Sequence, residues 1–263
     1  MQLSDLHFGR IDAQLLAPLI QRLHALGPDV VVVSGDLTQR AKSAEFRDAR
    51  RFLDTLPGRV LAVPGNHDVP LYNVLQRFFR PLAKYRRYIS PDTEPVYLDD
   101  QLAIIGLNTA RSAVLKGGRV NAAQLSRIAS TFSGLAPGVV KIVATHHPFD
   151  LPAGHDVRSI VGRARLAMDA FAACGADILL AGHLHASHVG DTAERYPIGA
   201  YAALVVQAGT ATSVRARGET NSFNLLRIQP DRVDIERFAW SGADFSVASR
   251  SSFTRVAGAW RAR

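Results

Sequence analysis

Up to about Ala181, apolar runs of β-strand character alternate with stretches that carry apolar side chains at helical spacing. The strand-like runs are Gln2 to Ser4, Val30 to Val33, Val60 to Val63, Leu102 to Leu107, Ile142 to Thr145 and Ile178 to Leu180. The helical stretches are Leu15 to Leu26, Phe46 to Leu56 and Leu125 to Phe132, with a further helix expected to end at Cys174 before Gly175. This rhythm is that of βαβ units and a parallel sheet. Gly27-Pro28 and Pro57-Gly58 stop the first two helices, because glycine takes up the left-handed cap conformation and proline cannot extend a helix. After Gly182 the helical spacing disappears, and Tyr201 to Gln207, Phe223 to Ile228 and Val233 to Phe238 read as strands joined by turns such as Gln229-Pro230-Asp231. Strands without intervening helices pair antiparallel and cover one face of a core. The pattern predicts an α/β fold of two mixed sheets packed together with helices outside, as one domain over residues 1–240. Residues 241–263, rich in Ser, Ala and Arg, are expected to be a loosely held strand or a partly disordered tail.

Five of the strands lead directly into polar clusters: Asp5-Leu6-His7, Gly35-Asp36, Gly65-Asn66-His67-Asp68, His146-His147-Pro148 and Gly182-His183-Leu184-His185. In an open α/β sheet the ligand crevice lies outside the carboxyl ends of the strands, so these clusters aim at one place. Carboxylate, imidazole and amide-oxygen donors without thiolate suit Zn, Fe, Mn or Ni and disfavour Cu(I) or an iron–sulfur cluster. Asp5, His7, Asp36, Asn66, His146, His183 and His185 exceed the about three protein ligands of one catalytic zinc. Two ions roughly 3.5–4 Å apart, sharing one carboxylate, fit better. Two divalent ions with Asp5, Asp36 and a hydroxide keep a residual positive charge while the histidines stay neutral. That charge suits an anionic phosphate ester, and metal-bound water with a pKa near ~7 is a nucleophile at neutral pH. Each cluster alone also reads as a turn or as a loop closing a buried strand. Five in series at strand ends favour the metal reading.

The series Asp-x-His, Gly-Asp, Gly-Asn-His-Asp, His-His-Pro and Gly-His-x-His resembles that of the calcineurin-like metallophosphoesterases and spans residues 5–185. The resemblance implies a four-layer α/β/β/α sandwich. It implies that Asp5, His7, Asp36 and His185 hold one ion, and that Asp36, Asn66, His146 and His183 hold the other with Asp36 as bridge. It also implies that a hydroxide between the ions attacks phosphorus while His67 assists the leaving group. Thr145 stands where the family often has glycine. Only four residues precede Asp5, so the central first strand is expected to be short and the Asp5–His7 part of the site less rigid, unless the natural start lies upstream of Met1.

The opening Ser4-Asp5-Leu6-His7-Phe8, with Gly35-Asp36-Leu37-Thr38 and His146-His147-Pro148, is similar to the bacterial cyclic-AMP phosphodiesterase branch of that family. A 3′,5′-cyclic nucleotide is therefore the first expected substrate. The alternatives are another anionic partner (a nucleotide-sugar lipid, a nucleic-acid end or a phosphomonoester) and an inactive binding scaffold on the same fold. The metals are expected to be Fe, Mn or Zn.

Other residues are ambiguous. Between Tyr72 and Tyr88, Arg77, Arg80, Lys84, Arg86 and Arg87 interleave with Phe78, Phe79 and Tyr85, a pattern for gripping a phosphate and stacking a base or for a solvated helix face. Arg80 and Arg87 are candidate substrate contacts on the first reading. Arg111, after the strand ending at Leu107, reads as a substrate clamp or a surface ion pair. His147 reads as a support for the ligands or as a substrate contact. His24 reads as a helix-face residue, and His155 and His188 as loop residues near the site.

The 263 residues, 47% hydrophobic, suffice for one substantial core, and Cys174, the only cysteine, excludes an intrachain disulfide. No apolar run approaches the ~20 residues of a membrane helix, and no secretion signal opens the chain, so a cytoplasmic protein is expected. The formal charge of +8 concentrates phosphate-bearing ligands at the surface, and attracts nucleic acid or anionic lipid equally well.

Overall fold

The structure, a computed structural model, describes residues 1–263 apart from 113–116, 215–217 and 257–258. One sheet runs β13-β12-β11-β10-β1-β2-β3, from β1 (Gln2–Leu3), β2 (Val30–Ser34), β3 (Arg59–Val63), β10 (Ser222–Ile228), β11 (Arg232–Trp240), β12 (Phe245–Val256) and β13 (Ala259–Ala262). The other runs β4-β5-β6-β7-β9-β8, from β4 (Val96–Leu98), β5 (Leu102–Gly106), β6 (Val140–Ala144), β7 (Ile178–Ala181), β8 (His188–Asp191) and β9 (Leu204–Gln207). Both sheets are mixed: β1, β2 and β3 are parallel, as are β5, β6, β7 and β9, while β10 to β13 pair antiparallel.

The period of two along each strand sorts its residues between layers. Val30, Val32, Ile104, Ile142, Leu180, Val206 and Ile235 face inward and form the core between the sheets. Val31 and Val33 face outward onto α1 (Leu16–Leu26) and α2 (Ser43–Leu53), where they meet Leu19, Leu23, Phe46 and Phe52. Ala103, Ile105, Val143 and Leu179 pack under Leu125, Ile128 and Phe132 of α5 (Ala122–Ser133) and Met168 and Phe171 of α6 (Ala164–Cys174). The result is the expected four-layer α/β/β/α sandwich. α1 ends at Gly27, whose φ of 54° turns its N–H back to the His24 and Leu23 carbonyls.

Four details depart from the sequence pattern. The basic segment, for which a solvated helix face is one reading, forms two short helices and not one, α3 (Val74–Phe79) and α4 (Ala83–Tyr88). The strand expected over Tyr201 to Gln207 does not join the antiparallel set: β9 lies parallel to β7, because β8 first runs to the sheet edge and returns. Residues 241–263, expected as a loosely held strand or a partly disordered tail, hold the paired strands β12 and β13, and Phe245, Phe253 and Trp260 are buried. Their large side chains complete two core layers, a burial of roughly 1.5–3 kcal/mol each that composition alone hides.

The fourth departure is at the start. β1 is only two residues, yet the chain continues beside β2, with Asp5, His7 and Phe8 donating backbone N–H groups to Gly35, Asp36 and Leu37 at 3.1, 2.9 and 2.9 Å. Thr210 and Thr212 hydroxyls donate to the Asp5 and Leu6 carbonyls from the other side at 2.7 and 2.8 Å. These bonds, not strand length, hold the Asp5–His7 segment, contrary to the expected looseness. Among the described residues no helix is long and apolar enough to cross a membrane.

Candidate metal centre

The backbone is unusual at the polar clusters themselves. Asp5, His7, Asp36, His183 and His185 have φ of 53°, 50°, 51°, 74° and 58°, and among the described non-glycine residues only Ala41 and Arg163 share the left-handed region. Each such conformation costs an L-residue ~1–2 kcal/mol, strain that gathers at ligand sites and is held by surrounding bonds. Two motif glycines serve the same geometry. A Cβ on Gly65 would lie 2.4 Å from the Asp36 backbone nitrogen, and one on Gly182 would lie 1.8 Å from Ser4 Oγ. Glycine is required there by close approach.

The clusters converge as two overlapping donor groups. In the first, His7 Nε2 and His185 Nε2 stand 3.1 Å apart, Asp5 Oδ1 is 3.6 and 3.2 Å from them, and Asp36 Oδ2 is 3.6 Å from His7 Nε2. In the second, Asn66 Oδ1 is 3.0 Å from His146 Nε2 and 3.2 Å from His183 Nδ1. The link is Asp36, whose Oδ2 also lies 3.4 Å from His146 Nε2. His7, His185, Asp5 and Asp36 are all buried.

This donor set fits cations. Asp5 and Asp36 are buried carboxylates whose ion-pair partners among the described residues are histidines alone. Asp5 Oδ1 is buried without a hydrogen-bond donor. A buried charge in that state is costly unless compensated. The protons show the same tension. Burial raises and the facing imidazoles, His185 first, lower the Asp5 pKa, for a net value well below the usual carboxylate range. Burial alone would lower His146, but Asp36 raises it to about 9, whereas burial and the neighbouring His146 lower His183 to about 4. Supporting bonds orient the donors: Ser4 Oγ and the His183 N–H donate to Asp5 Oδ2 at 2.7 and 3.0 Å, and the Ser34 carbonyl accepts from His146 Nδ1 at 2.9 Å. Accepting through a carbonyl puts the proton on Nδ1 and turns Nε2 toward the cluster.

A family model described as calcineurin-like phosphoesterase matches residues 1–187, a span that holds every one of these clusters. The chain belongs to the calcineurin-like phosphoesterases. It is a metal-dependent phosphoesterase by that membership. It is 29% identical over 262 residues to a cAMP/cGMP dual specificity phosphodiesterase of Mycobacterium tuberculosis, covering 89% of this chain and 76% of that protein. It is 32% identical over 121 residues to a glycerophosphodiester phosphodiesterase of Enterobacter lignolyticus, covering 38% of this chain and 43% of that one. The fold of a purple acid phosphatase from yellow lupin superposes with a TM-score of 0.75 at 13% identity, over 97% of this chain and 53% of the plant protein. The phosphoesterase thus spans about half the length of that structure.

The remaining candidates fall unevenly around the phosphoesterase's centre. His67 lies beside it, its ring 4.9 Å from that of His7, with its backbone N–H donating to Asp36 Oδ1 at 2.8 Å and its Nδ1 2.8 Å from the Gln39 carbonyl. His147 enters the second group: its ring donor lies with those of His146 and His183 within 4.8 Å, and Thr109 Oγ1 is 2.8 Å from its Nδ1. Arg111 is held locally, donating to the Asn108 and Ala110 carbonyls and to the side-chain oxygen of Gln124 in the first turn of α5. Arg80 ends α3 and Arg87 stacks over Tyr88 at 5.4 Å, both exposed, and no contact among the described residues joins either to the donor groups. His155 is exposed, and so is His24, which contacts the Thr55 carbonyl.

Asp68 is the residue that motif reading passed over. Buried, it accepts from the N–H groups of Gly65, Leu37 and Thr38 and from the Thr38 hydroxyl, at 2.9 to 3.2 Å, and so ties the end of β2 to the end of β3. Its place in Gly-Asn-His-Asp was the available signal. Burial and then the nearby Asp36 push its pKa up to about 6.

Proposed function

We propose that this phosphoesterase hydrolyses a phosphodiester with two metal ions, and that its substrate is a 3′,5′-cyclic nucleotide. The observation that carries the two-ion reading is the Asp36 carboxylate, within 3.6 and 3.4 Å of a histidine nitrogen in each donor group. In this reading Asp5, His7, Asp36 and His185 hold one ion, and Asp36, Asn66, His146 and His183 hold the other. His147 and Thr109 steady the second group. Iron, manganese or zinc suits such donors. When bound, the pair supplies a water of lowered pKa and positive charge opposite the phosphoryl oxygens.

The chain's own residues supply the rest. The Gln39 carbonyl only accepts, so His67 Nδ1 keeps its proton and Nε2 is the atom that exchanges one with substrate. As water oxygen bonds to phosphorus and releases a proton to solvent, the P–O3′ bond breaks, its electron pair leaves on O3′, and His67 Nε2 gives that oxygen a proton. What supports the nucleotide is the likeness to the mycobacterial cAMP/cGMP enzyme, which runs along nearly the whole chain. The shorter likeness to the glycerophosphodiester enzyme favours a second reading, a small acyclic phosphodiester.

The test is bound metal followed by rates on 3′,5′-cAMP and cGMP, 2′,3′-cyclic nucleotides, a glycerophosphodiester and a phosphomonoester. Two ions per chain and fastest turnover of a 3′,5′-cyclic nucleotide are expected. Fully metallated protein that cleaves no ester overturns the enzyme; cleavage of other diesters alone overturns only the nucleotide.

A further inference from the structure

Half of the exposed large apolar side chains among the described residues lie within one stretch: Leu71 (48% exposed), Tyr72 (70%), Val74 (61%), Leu75 (72%), Phe78 (57%) and Phe79 (81%). α3 is turned inside out. Its buried residue is Arg77, whose guanidinium donates to the Ser112 carbonyl at 2.7 Å and the Pro70 carbonyl at 3.1 Å, while its apolar residues face solvent. Burying the charge and exposing the rings is opposite to what a helix packed for stability alone would do. Two anchoring hydrogen bonds hold it that way.

The flanks are of one sign. Arg80, Arg86 and Arg87 follow the apolar run in sequence and are exposed, and no Asp or Glu occurs between Val69 and Pro91. We propose that this segment is a docking surface for an anionic lipid membrane, its aromatic and aliphatic side chains entering the headgroup boundary and its arginines facing lipid phosphates. Exposed apolar chains beside basic ones are the chemistry of interfacial binding. A second copy of this chain fits less well, because a two-fold interface would set the arginines of one copy against those of the other. A nucleic acid leaves Leu71, Val74 and Leu75 unburied. Docking also has a direction: Arg40, next to the Gln39 that holds His67, donates to Tyr72 Oη at 2.5 Å, so the lipid surface lies on the His67 side of the centre. The inference does not rest on the identity of the substrate.

The experiment is co-sedimentation of the whole protein with vesicles of phosphatidylcholine alone and of phosphatidylcholine with phosphatidylglycerol. Binding to the anionic vesicles only, weakened by salt, is expected. Phe78→Ser/Phe79→Ser should cut the partition by at least about tenfold, with hydrolysis of a soluble phosphodiester unchanged. Separately, Phe79→Trp fluorescence should shift to the blue when anionic vesicles are added. The proposal is overturned if the double variant sediments like the parent, if neutral vesicles bind equally, or if neither does. It is equally overturned if the double variant instead abolishes a concentration-dependent dimer, loses DNA binding, or raises the KM for the soluble ester with no vesicles present.

Discussion

At the scale of single residues, Asp36 is the test of the two-ion proposal, because its carboxylate lies within 3.6 Å of a histidine nitrogen in each donor group. Asp36→Asn keeps the shape and halves the oxygen donors. Activity should fall by more than the ~10–100-fold of a supporting partner, with lower metal content by elemental analysis. His67 should behave differently: His67→Ala should cost ~10²–10⁴-fold in kcat at unchanged metal content, and much less on an ester with an acidic leaving group. An equal loss on both esters would remove its role as proton donor. The His146 pKa, raised to about 9 in the metal-free protein, fixes the sign of a pH effect. Below that value the imidazole carries a proton that a metal must displace. Uptake should therefore release a proton and weaken by up to about tenfold per pH unit on acidification. Calorimetry in buffers of different ionisation enthalpy reads the proton directly.

The secondary elements show how much of the site was legible. The five polar clusters stand out in the chain because each follows an apolar run, and the parallel sheet rule then aims them together. The left-handed backbone at Asp5, His7, Asp36, His183 and His185 could not be read, since no glycine marks those positions. Nor could the destination of Arg111: a bond to Gln124 in the first turn of α5 and a substrate clamp leave the same trace in sequence. The C-terminal strands escaped because alternation in Phe245 to Val256 is diluted by Ser and Arg. Yet Trp260 is 1% exposed, lies 4.9 Å under the Arg255 guanidinium and donates to Asp177 Oδ1, at the foot of β7. Trp260→Ala should destabilise by ~3–5 kcal/mol in denaturant titration, which a loose tail would not show.

At the scale of the molecule, the centre is a seam. Asp5, His7, Asp36 and Asn66 come from the ends of one sheet, and His146, His183 and His185 from the ends of the other. Gln2 adds a neutral stitch across the same seam, its amide donating to Ser34 Oγ and the Ala181 carbonyl at 3.1 and 2.9 Å. An ion in either group would therefore cross-link the sheets. Chelation should lower the melting temperature by roughly 5–10 °C if free metal had stood near a hundred times its Kd. Re-addition should restore both melting temperature and activity, and an unchanged melting temperature would place the ions away from the seam.

Sequence alone determined most of the element types, the two-sheet architecture and the donor chemistry, because apolar periodicity and strand-end polarity are local properties, while the family came from the resemblance of the motif series. Only the tertiary structure decided how closely Asp36 approaches a histidine of each group, where the Arg111 guanidinium goes, how a two-residue strand is held, and that α3 turns its apolar side outward. Those depend on where distant segments meet, and the free energy of such contacts is absent from any local stretch of chain.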